Sequence, residues 1–218
     1  MMNIISTVAI YAIPAILAIT LHEAAHAYAA KLFGDNTATW MGRLSLNPLR
    51  HIDPVGTLLV PGLLLISSLL TGVGGVLFGW AKPVPVNFAR LGNPKRDMIW
   101  VALAGPLSNL AQALLWAILL RIVFSLTDNY TVLSATASFA SAGISVNLVL
   151  MAFNLIPILP LDGGRIIAGL LPWKWAYAYS KLERYGLPIM LVLIVTGMTT
   201  FFIRPFLSLG QMLVGLVL

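Results

Sequence analysis

Long apolar runs, separated by short polar stretches, dominate the chain. Four of them, at 4–33, 98–124, 134–156 and 187–203, reach or approach the roughly 20 helical residues that cross a bilayer. A fifth run, at 55–78, is interrupted by prolines and glycines, which favours a re-entrant or kinked segment. The pattern predicts a bundle of transmembrane helices.

Two segments between the first long helices show a different pattern. Residues 37–46 alternate polar and apolar side chains, and residues 83–88 carry proline at alternate positions. These features predict short membrane-associated β-strands, with the proline-containing segment confined to an edge strand or an extended loop. The apolar tail 206–218 is short for a complete span. The predicted fold class is an all-α polytopic membrane protein with about four to six transmembrane segments and short strands, forming one domain over 1–218.

Composition supports the membrane assignment. The chain is 59% hydrophobic and only 9% charged, whereas a soluble domain carries about 25% charged residues. Cysteine is absent, so a thiolate metal site is excluded. The net charge of +6 is explained by basic loops on the cytoplasmic side of a membrane, and no nucleic-acid partner is expected. No basic residue precedes the first apolar run, so we expect this run to be a retained helix and not a signal peptide.

Three ionisable side chains interrupt the first apolar run. His22 and His26 are four residues apart, so on a helix both imidazoles project from one face and can reach one Zn²⁺. Glu23 completes the pattern H-E-x-x-H, in which the glutamate is the general base. The alternative is three unrelated hydrogen-bonding residues. It is disfavoured because one charged residue at membrane depth costs roughly 2.5–3.5 kcal/mol.

A zinc site needs a third protein ligand, and Asp162 is the best candidate. It follows two helix-breaking prolines and precedes two glycines in "NLIPILPLDGGR". An acidic side chain at that point of a membrane protein indicates a functional site. Two alternatives stay open: His51, in a polar loop, is the ligand, or Asp162 caps a helix that begins at Gly163.

The motifs HEAAH and NLIPILPLDGGR, together with "ALAGPLSNL" at 102–110, resemble those of the site-2 protease family of intramembrane zinc metalloproteases. The resemblance implies hydrolysis of peptide bonds within or near the transmembrane segments of membrane proteins. It implies one Zn²⁺ per chain, bound by His22, His26 and Asp162, with Glu23 as the base. PDZ-like and CBS-like modules, which accompany this core in other members, are absent from the sequence.

The resemblance further implies that Asn109 and Asn154 lie near the site and hold substrate or the oxyanion. Each also has a plain interpretation, because an amide in a membrane helix usually bonds a neighbouring helix. The expected partners are transmembrane protein or peptide substrates and the lipid bilayer.

The metal site also predicts a topology. His22 and Asp162 reach the same depth only if 55–78 turns back, and ten basic residues then fall on one side. We therefore expect a multi-pass protein of the cell membrane whose site opens toward the cytoplasm. The ten are Arg43, Arg50, Lys82, Arg90, Lys95, Arg96, Arg165, Lys174, Lys181 and Arg184.

Two other functions fit parts of the sequence. A proton or divalent-metal transporter also places His, Glu and Asp in the membrane, but it needs a polar path that 98–124 and 187–203 do not offer. An inactive relative acting as a scaffold would not need a complete set of ligands and base.

Overall fold

The computed structural model describes residues 4–51, 53, 54, 56 and 82–218. No residue in these ranges belongs to a β-strand. The α-helices are α1 (Ile4–Leu32), α2 (Thr37–Trp40), α3 (Pro94–Leu126), α4 (Tyr130–Asn154), α5 (Asp162–Leu170), α6 (Trp173–Ser180), α7 (Gly186–Val195) and α8 (Thr199–Gly215). Short 3₁₀ turns lie at Pro48–Arg50, Phe88–Arg90 and Lys181–Tyr185.

The first three predicted helices are confirmed. In the described part of the chain, α1, α3 and α4 are long and apolar enough to cross a membrane. The predicted span at 187–203 is wrong as a single helix, because α7 and α8 meet at an 84° bend. Gly197 lies in this break at φ +71°, a left-handed conformation that ends a helix. The bent pair adds a fourth span if it counts as one, and the tail 206–218 belongs to α8 and its C-terminal turn.

The strand predicted at 37–46 is not formed, because a side chain starts a helix there. The Asp35 carboxylate accepts hydrogen bonds from the backbone N–H and the hydroxyl of Thr37. This local bond favours a turn over an extended backbone. The chain then forms the short helix α2 and continues to residue 47 without strand pairing.

The strand predicted at 83–88 is also absent from the described structure, where two of its backbone N–H groups bond side-chain carboxylates. Two of its residues are prolines, which have no N–H. The N–H of Val84 donates to Glu23 Oε2 at 2.7 Å, and that of Asn87 donates to Asp35 Oδ2 at 2.6 Å. The segment is therefore fixed to α1 and to the turn after it by side-chain carboxylates.

Small residues make the contacts between the long helices. Gly143 of α4 packs so closely on the Trp116 ring of α3 that a Cβ there would overlap the indole. Close backbone approach through small residues is how membrane helices pack where lipid supplies no hydrophobic driving force. The fully buried alanines of α1, α3 and α4 include Ala18, Ala27, Ala30, Ala113, Ala117, Ala140 and Ala152.

Both ends of the segment between α1 and α3 lie at the same end of the bundle. The N–H of Gly92 donates to the carbonyl of Phe33 at 2.9 Å. The start of α6 lies there as well, with Lys95 Nζ 5.4 Å from the ring centroid of Trp173. The predicted re-entrant segment 55–78 lies, apart from residue 56, outside the described residues. The described residues on either side of it lie together, because the N–H of Lys82 donates to the carbonyl of His51 at 3.0 Å.

The Asp35 carboxylate links two segments at this end of the bundle. It is 1% exposed and accepts bonds from Thr37 and Asn87, so it connects the end of α1 to the segment before α3. Burial alone raises the pKa of Asp35, but the hydrogen bonds from Thr37 and Asn87 outweigh burial and hold its pKa below the ordinary value.

We expect Asp35→Ala to lower the free energy of unfolding by roughly 1–3 kcal/mol, because two part-buried N–H groups lose their charged acceptor. A lower melting temperature in detergent would show this. Since the folded pKa of Asp35 is depressed, its contribution is present above the unfolded pKa of about 3.9 and is lost as the pH falls through the folded pKa.

The melting temperature of the wild type should therefore fall more steeply with acidification than that of Asp35→Asn. Asp128→Asn, an exposed aspartate at the opposite end of the bundle, is the matched control. Identical pH profiles for the wild type and Asp35→Asn would contradict this role.

Candidate metal centre

Two helices converge on one point in the interior of the bundle. His22 and His26 lie one turn apart on α1, and their Nε2 atoms are 3.0 Å apart. Asp162, the first residue of α5, approaches both of them. Its Oδ2 is 3.3 Å from His22 Nε2 and its Oδ1 is 3.4 Å from His26 Nε2. The three residues each offer a ligand atom within 4.8 Å of the others, a spacing that can hold a metal ion.

Two glycines bring Asp162 to this point. A Cβ on Gly163 would overlap the carbonyl groups of Leu155 and Ile156, and a Cβ on Gly164 would overlap backbone atoms of Ile158 and Leu159. Only glycine lets α5 begin this close to the preceding loop. Leu161 is the N-cap and α5 begins at Asp162 itself, so the alternative in which Asp162 caps a helix from Gly163 is wrong.

A third glycine brings α3 against the histidines. A Cβ on Gly105 would overlap the imidazole rings of both His22 and His26. This glycine belongs to the A-G-P sequence at 104–106, so that motif places the α3 backbone directly beside the histidines.

Hydrogen bonds to acceptors on α3 hold the Nδ1 proton of both rings. The carbonyl of Val101 can only accept, so His26 Nδ1, at 2.7 Å from it, carries the proton. His22 Nδ1 lies 2.6 Å from Asn109 Oδ1. The Asn109 amide nitrogen donates to the carbonyl of Ala18, so its oxygen faces His22 and accepts. In both neutral rings Nε2 therefore presents a lone pair to the centre.

This donor set fits a zinc ion. In the neutral rings the two Nε2 lone pairs converge at 3.0 Å, an arrangement that a shared cation stabilises, and a carboxylate faces them from the third side. Asp162 Oδ2 is buried and has no hydrogen-bond partner among the described atoms, which leaves it available to a metal. Two imidazoles and one carboxylate with an open fourth position form a ligand set that catalytic zinc uses.

Glu23 lies beside the three candidate ligands and is not one of them. The N–H of Val84 holds its Oε2 at 2.7 Å. Glu23 lines a cavity of about 500 Å³ together with His22, His26, Asp162 and mostly apolar side chains. His51 lies away from this group. It is buried in the segment between α1 and α3, and its Nε2 contacts the carbonyl of Ser45 at 2.8 Å.

The asparagines occupy different places. Asn154 lines the cavity, whereas Asn109 is fully buried behind His22. Asn147, which the sequence analysis did not select, is also fully buried and accepts a bond from the Asn109 amide at 2.9 Å. Its own amide donates to the carbonyl of Gly143. Asn147 is seven residues before Asn154 on α4, a helical spacing that would have placed both on one face.

Comparison with known proteins agrees with this geometry. Residues 121–197, which contain Asp162, match the model of Peptidase family M50. The chain is 40% identical over 198 residues to the protein named zinc metalloprotease YwhC of Bacillus subtilis. The matched residues are 90% of this chain and 84% of YwhC. The chain belongs to peptidase family M50.

Two further relatives carry the same kind of name. Zinc metalloprotease Rip2 of Mycobacterium tuberculosis is 32% identical over 178 residues, which are 82% of this chain and 63% of Rip2. Zinc metalloprotease MJ0392 of Methanocaldococcus jannaschii is 31% identical over 107 residues, which are 48% of this chain and 30% of that protein. No solved structure matches the chain.

Membership in family M50 confirms the function that the motifs implied. The protein is a membrane-embedded zinc metalloprotease that cleaves peptide bonds within or near transmembrane segments. The comparisons give no support to the alternative of a proton or divalent-metal transporter.

We expect Asn147→Leu to weaken zinc binding by about tenfold and Asn109→Leu by about 10- to 100-fold, because both amides orient His22. Zinc release to a chromogenic chelator measures this without any activity assay. Gln112→Leu removes another buried amide of α3 whose Nε2 has no hydrogen-bond partner among the described atoms, so it is the control. Equal zinc release from Asn147→Leu and Gln112→Leu would show that the Asn109–Asn147 pair does not act on the metal centre.

Proposed function

We propose that His22, His26 and Asp162 together bind the single catalytic zinc ion of this M50 peptidase, and that Glu23 is its general base. One observation carries the proposal: both Nδ1 atoms are committed to α3, so both Nε2 lone pairs face the Asp162 carboxylate. The four residues act within one intramembrane protease domain that spans 1–218.

Zinc bound there would polarise the scissile carbonyl and acidify the attacking water. Glu23 supplies the proton transfers. Val84 holds Oε2, so Oε1 accepts the proton of the water that attacks the carbonyl carbon. As the C–N bond breaks, Glu23 returns that proton to the amine nitrogen, and the carboxylate is restored.

The cavity gives substrate access to these groups. A helical substrate hides its carbonyls in internal hydrogen bonds, so it must unwind locally to enter a mostly apolar space of about 500 Å³. Asn154 donates to the carbonyl of Leu150, which leaves its Oδ1 for a substrate N–H. For Asn109, complete burial supports a role in orienting His22 over the direct substrate contact predicted from the motif.

We place the catalytic end of the bundle on the cytoplasmic side of the cell membrane. Gly92 bonds Phe33, Lys95 lies over Trp173, and Arg165 lies over Phe88 at 5.0 Å, so the basic segments share one end. The turn at 127–129, at the other end, has no basic residue. Cytoplasmic loops of membrane proteins carry an excess of Lys and Arg, and this rule supports the orientation.

Purified variants distinguish the zinc-ligand role from the general-base role. Glu23→Gln keeps an oxygen acceptor for Val84, so zinc should stay bound while cleavage of a single-span model substrate falls at least about a hundredfold. Asp162→Ala should lose both zinc and activity, whereas His51→Ala should retain the metal. Zinc content is measured by elemental analysis, and cleavage is followed by gel electrophoresis.

Zinc that is retained by Asp162→Ala and lost by His51→Ala would transfer the third-ligand role to His51. Normal cleavage by Glu23→Gln would remove Glu23 from the mechanism. Each result leaves the family membership intact, because that rests on the whole sequence.

Orientation is tested by cysteine labelling, since the native chain has no cysteine. Single cysteines at Ser45, Asn93, Lys174 and Asn129 are treated with a membrane-impermeant thiol reagent in intact cells. Only position 129 should react before lysis, because the other three lie at the basic end. Labelling of positions 45, 93 and 174 together, with 129 protected, would invert the orientation.

A further inference from the structure

A second cavity of about 340 Å³ lies beside the catalytic one, between the start of α3 and helices α5 and α6. Its walls combine apolar side chains with two cations, Lys95 and Arg165. It shares two residues with the catalytic cavity, Phe88 and Arg165. The guanidinium of Arg165 lies 5.0 Å from the centroid of the Phe88 ring, so this stacked pair forms a wall between the two spaces.

Three features place this second cavity at the level of the lipid headgroups. Helix α3 has 33 residues, a length of about 50 Å against a hydrocarbon core of about 30 Å, so its ends extend beyond the core. The cavity adjoins the first turn of α3, where Lys95 is located. Trp173 and Tyr177 line it and are 73% and 68% exposed, and exposed Trp and Tyr mark the membrane interface.

The charges in the cavity favour an anionic guest. Arg165 is paired with Glu183 at 3.7 Å, whereas Lys95 has no acidic partner among the described residues and lies over the Trp173 ring. Glu183 therefore neutralises one of the two cations and leaves one positive charge in excess. A phosphate would satisfy this charge, while apolar walls that include Met98, Leu159 and Ala168 would cover a hydrocarbon chain.

We infer that this second cavity binds an anionic phospholipid of the surrounding bilayer. The lipid phosphate pairs with the Lys95 ammonium at the start of α3, and one acyl chain lies along Met98, Leu159 and Ala168. Basic pockets between helices on the cytoplasmic side of a membrane recognise anionic headgroups in this way.

The proposed lipid also adjoins α5, the helix that carries Asp162. Arg165 is three residues after Asp162 on α5, so both side chains lie on one face of this short helix. A phosphate that draws Arg165 away from Glu183 acts on the helix that carries Asp162. The lipid site is thus a boundary of the catalytic cavity and not an isolated surface feature.

The test uses the full-length protein in mixed micelles that contain equal amounts of phosphatidylglycerol and phosphatidylcholine. Native mass spectrometry counts the lipids retained per protein. The wild type should retain phosphatidylglycerol in preference to phosphatidylcholine. Lys95→Gln should lower that retention by about fivefold, the effect of roughly one basic group near an anionic lipid, and Lys95→Arg should restore it.

Lys174→Gln is the matched control, because it removes the same charge from an exposed position of α6 that does not line the cavity. Zinc content confirms that each variant is folded. An equal loss of lipid in Lys174→Gln would reduce the effect to surface charge and overturn the proposal. Equal retention of the two lipids by the wild type would also overturn it.

Two competitors identify the occupant. Inorganic phosphate at millimolar concentration should leave the lipid bound, because it lacks the acyl chain. Release by phosphate alone would replace the lipid site with a simple anion site. Release by a stoichiometric amount of the single-span model substrate would assign the cavity to the substrate, and the lipid proposal would fail while the zinc and base assignments stand.

Discussion

Two imidazole nitrogens that both present lone pairs are held 3.0 Å apart with a carboxylate facing them, and the rest of the structure is arranged to maintain this contact. A shared cation would stabilise such a group, and each of the two rings is fixed from behind. Val101 and Asn109 fix the two rings from α3. The glycines at 105, 163 and 164 allow the backbone of α3 and the start of α5 to come close enough.

The same interior contact explains why polar residues are tolerated within the bundle. Asn109 and Asn147 are completely buried, and an unpaired amide at membrane depth is costly. Each of them uses both its amide N–H group and its amide oxygen in hydrogen bonds. These bonds form one connected network that ends at His22. The network therefore removes the penalty of burial and, in the same bonds, orients His22.

A second set of contacts positions Glu23 from the segment before α3. The segment before α3 reaches α1 through Val84 and Glu23, and the turn after α1 through Asn87 and Asp35. The prolines of this segment leave it few backbone donors, and two of those that remain, on Val84 and Asn87, serve carboxylates and not a β-ladder. Glu23 is thus coupled to a connecting segment, while its neighbouring histidines are coupled to α3.

The sequence alone determined the elements and the chemistry. Apolar runs predicted α1, α3 and α4 because a span of lipid demands a fixed length of apolar helix, and His22, Glu23, His26 and Asp162 were identifiable because ionisable residues are rare at that depth. Local patterns could not predict the break at Gly197, or the side-chain bonds that replace the predicted strands, because a backbone group takes whichever partner the fold brings near. The convergence of Asp162 on the histidines, the role of Asn109 behind His22 and the participation of Asn147 were decided by tertiary structure. They depend on how closely α3, α4 and α5 approach α1, and that approach is set by packing between residues far apart in the chain.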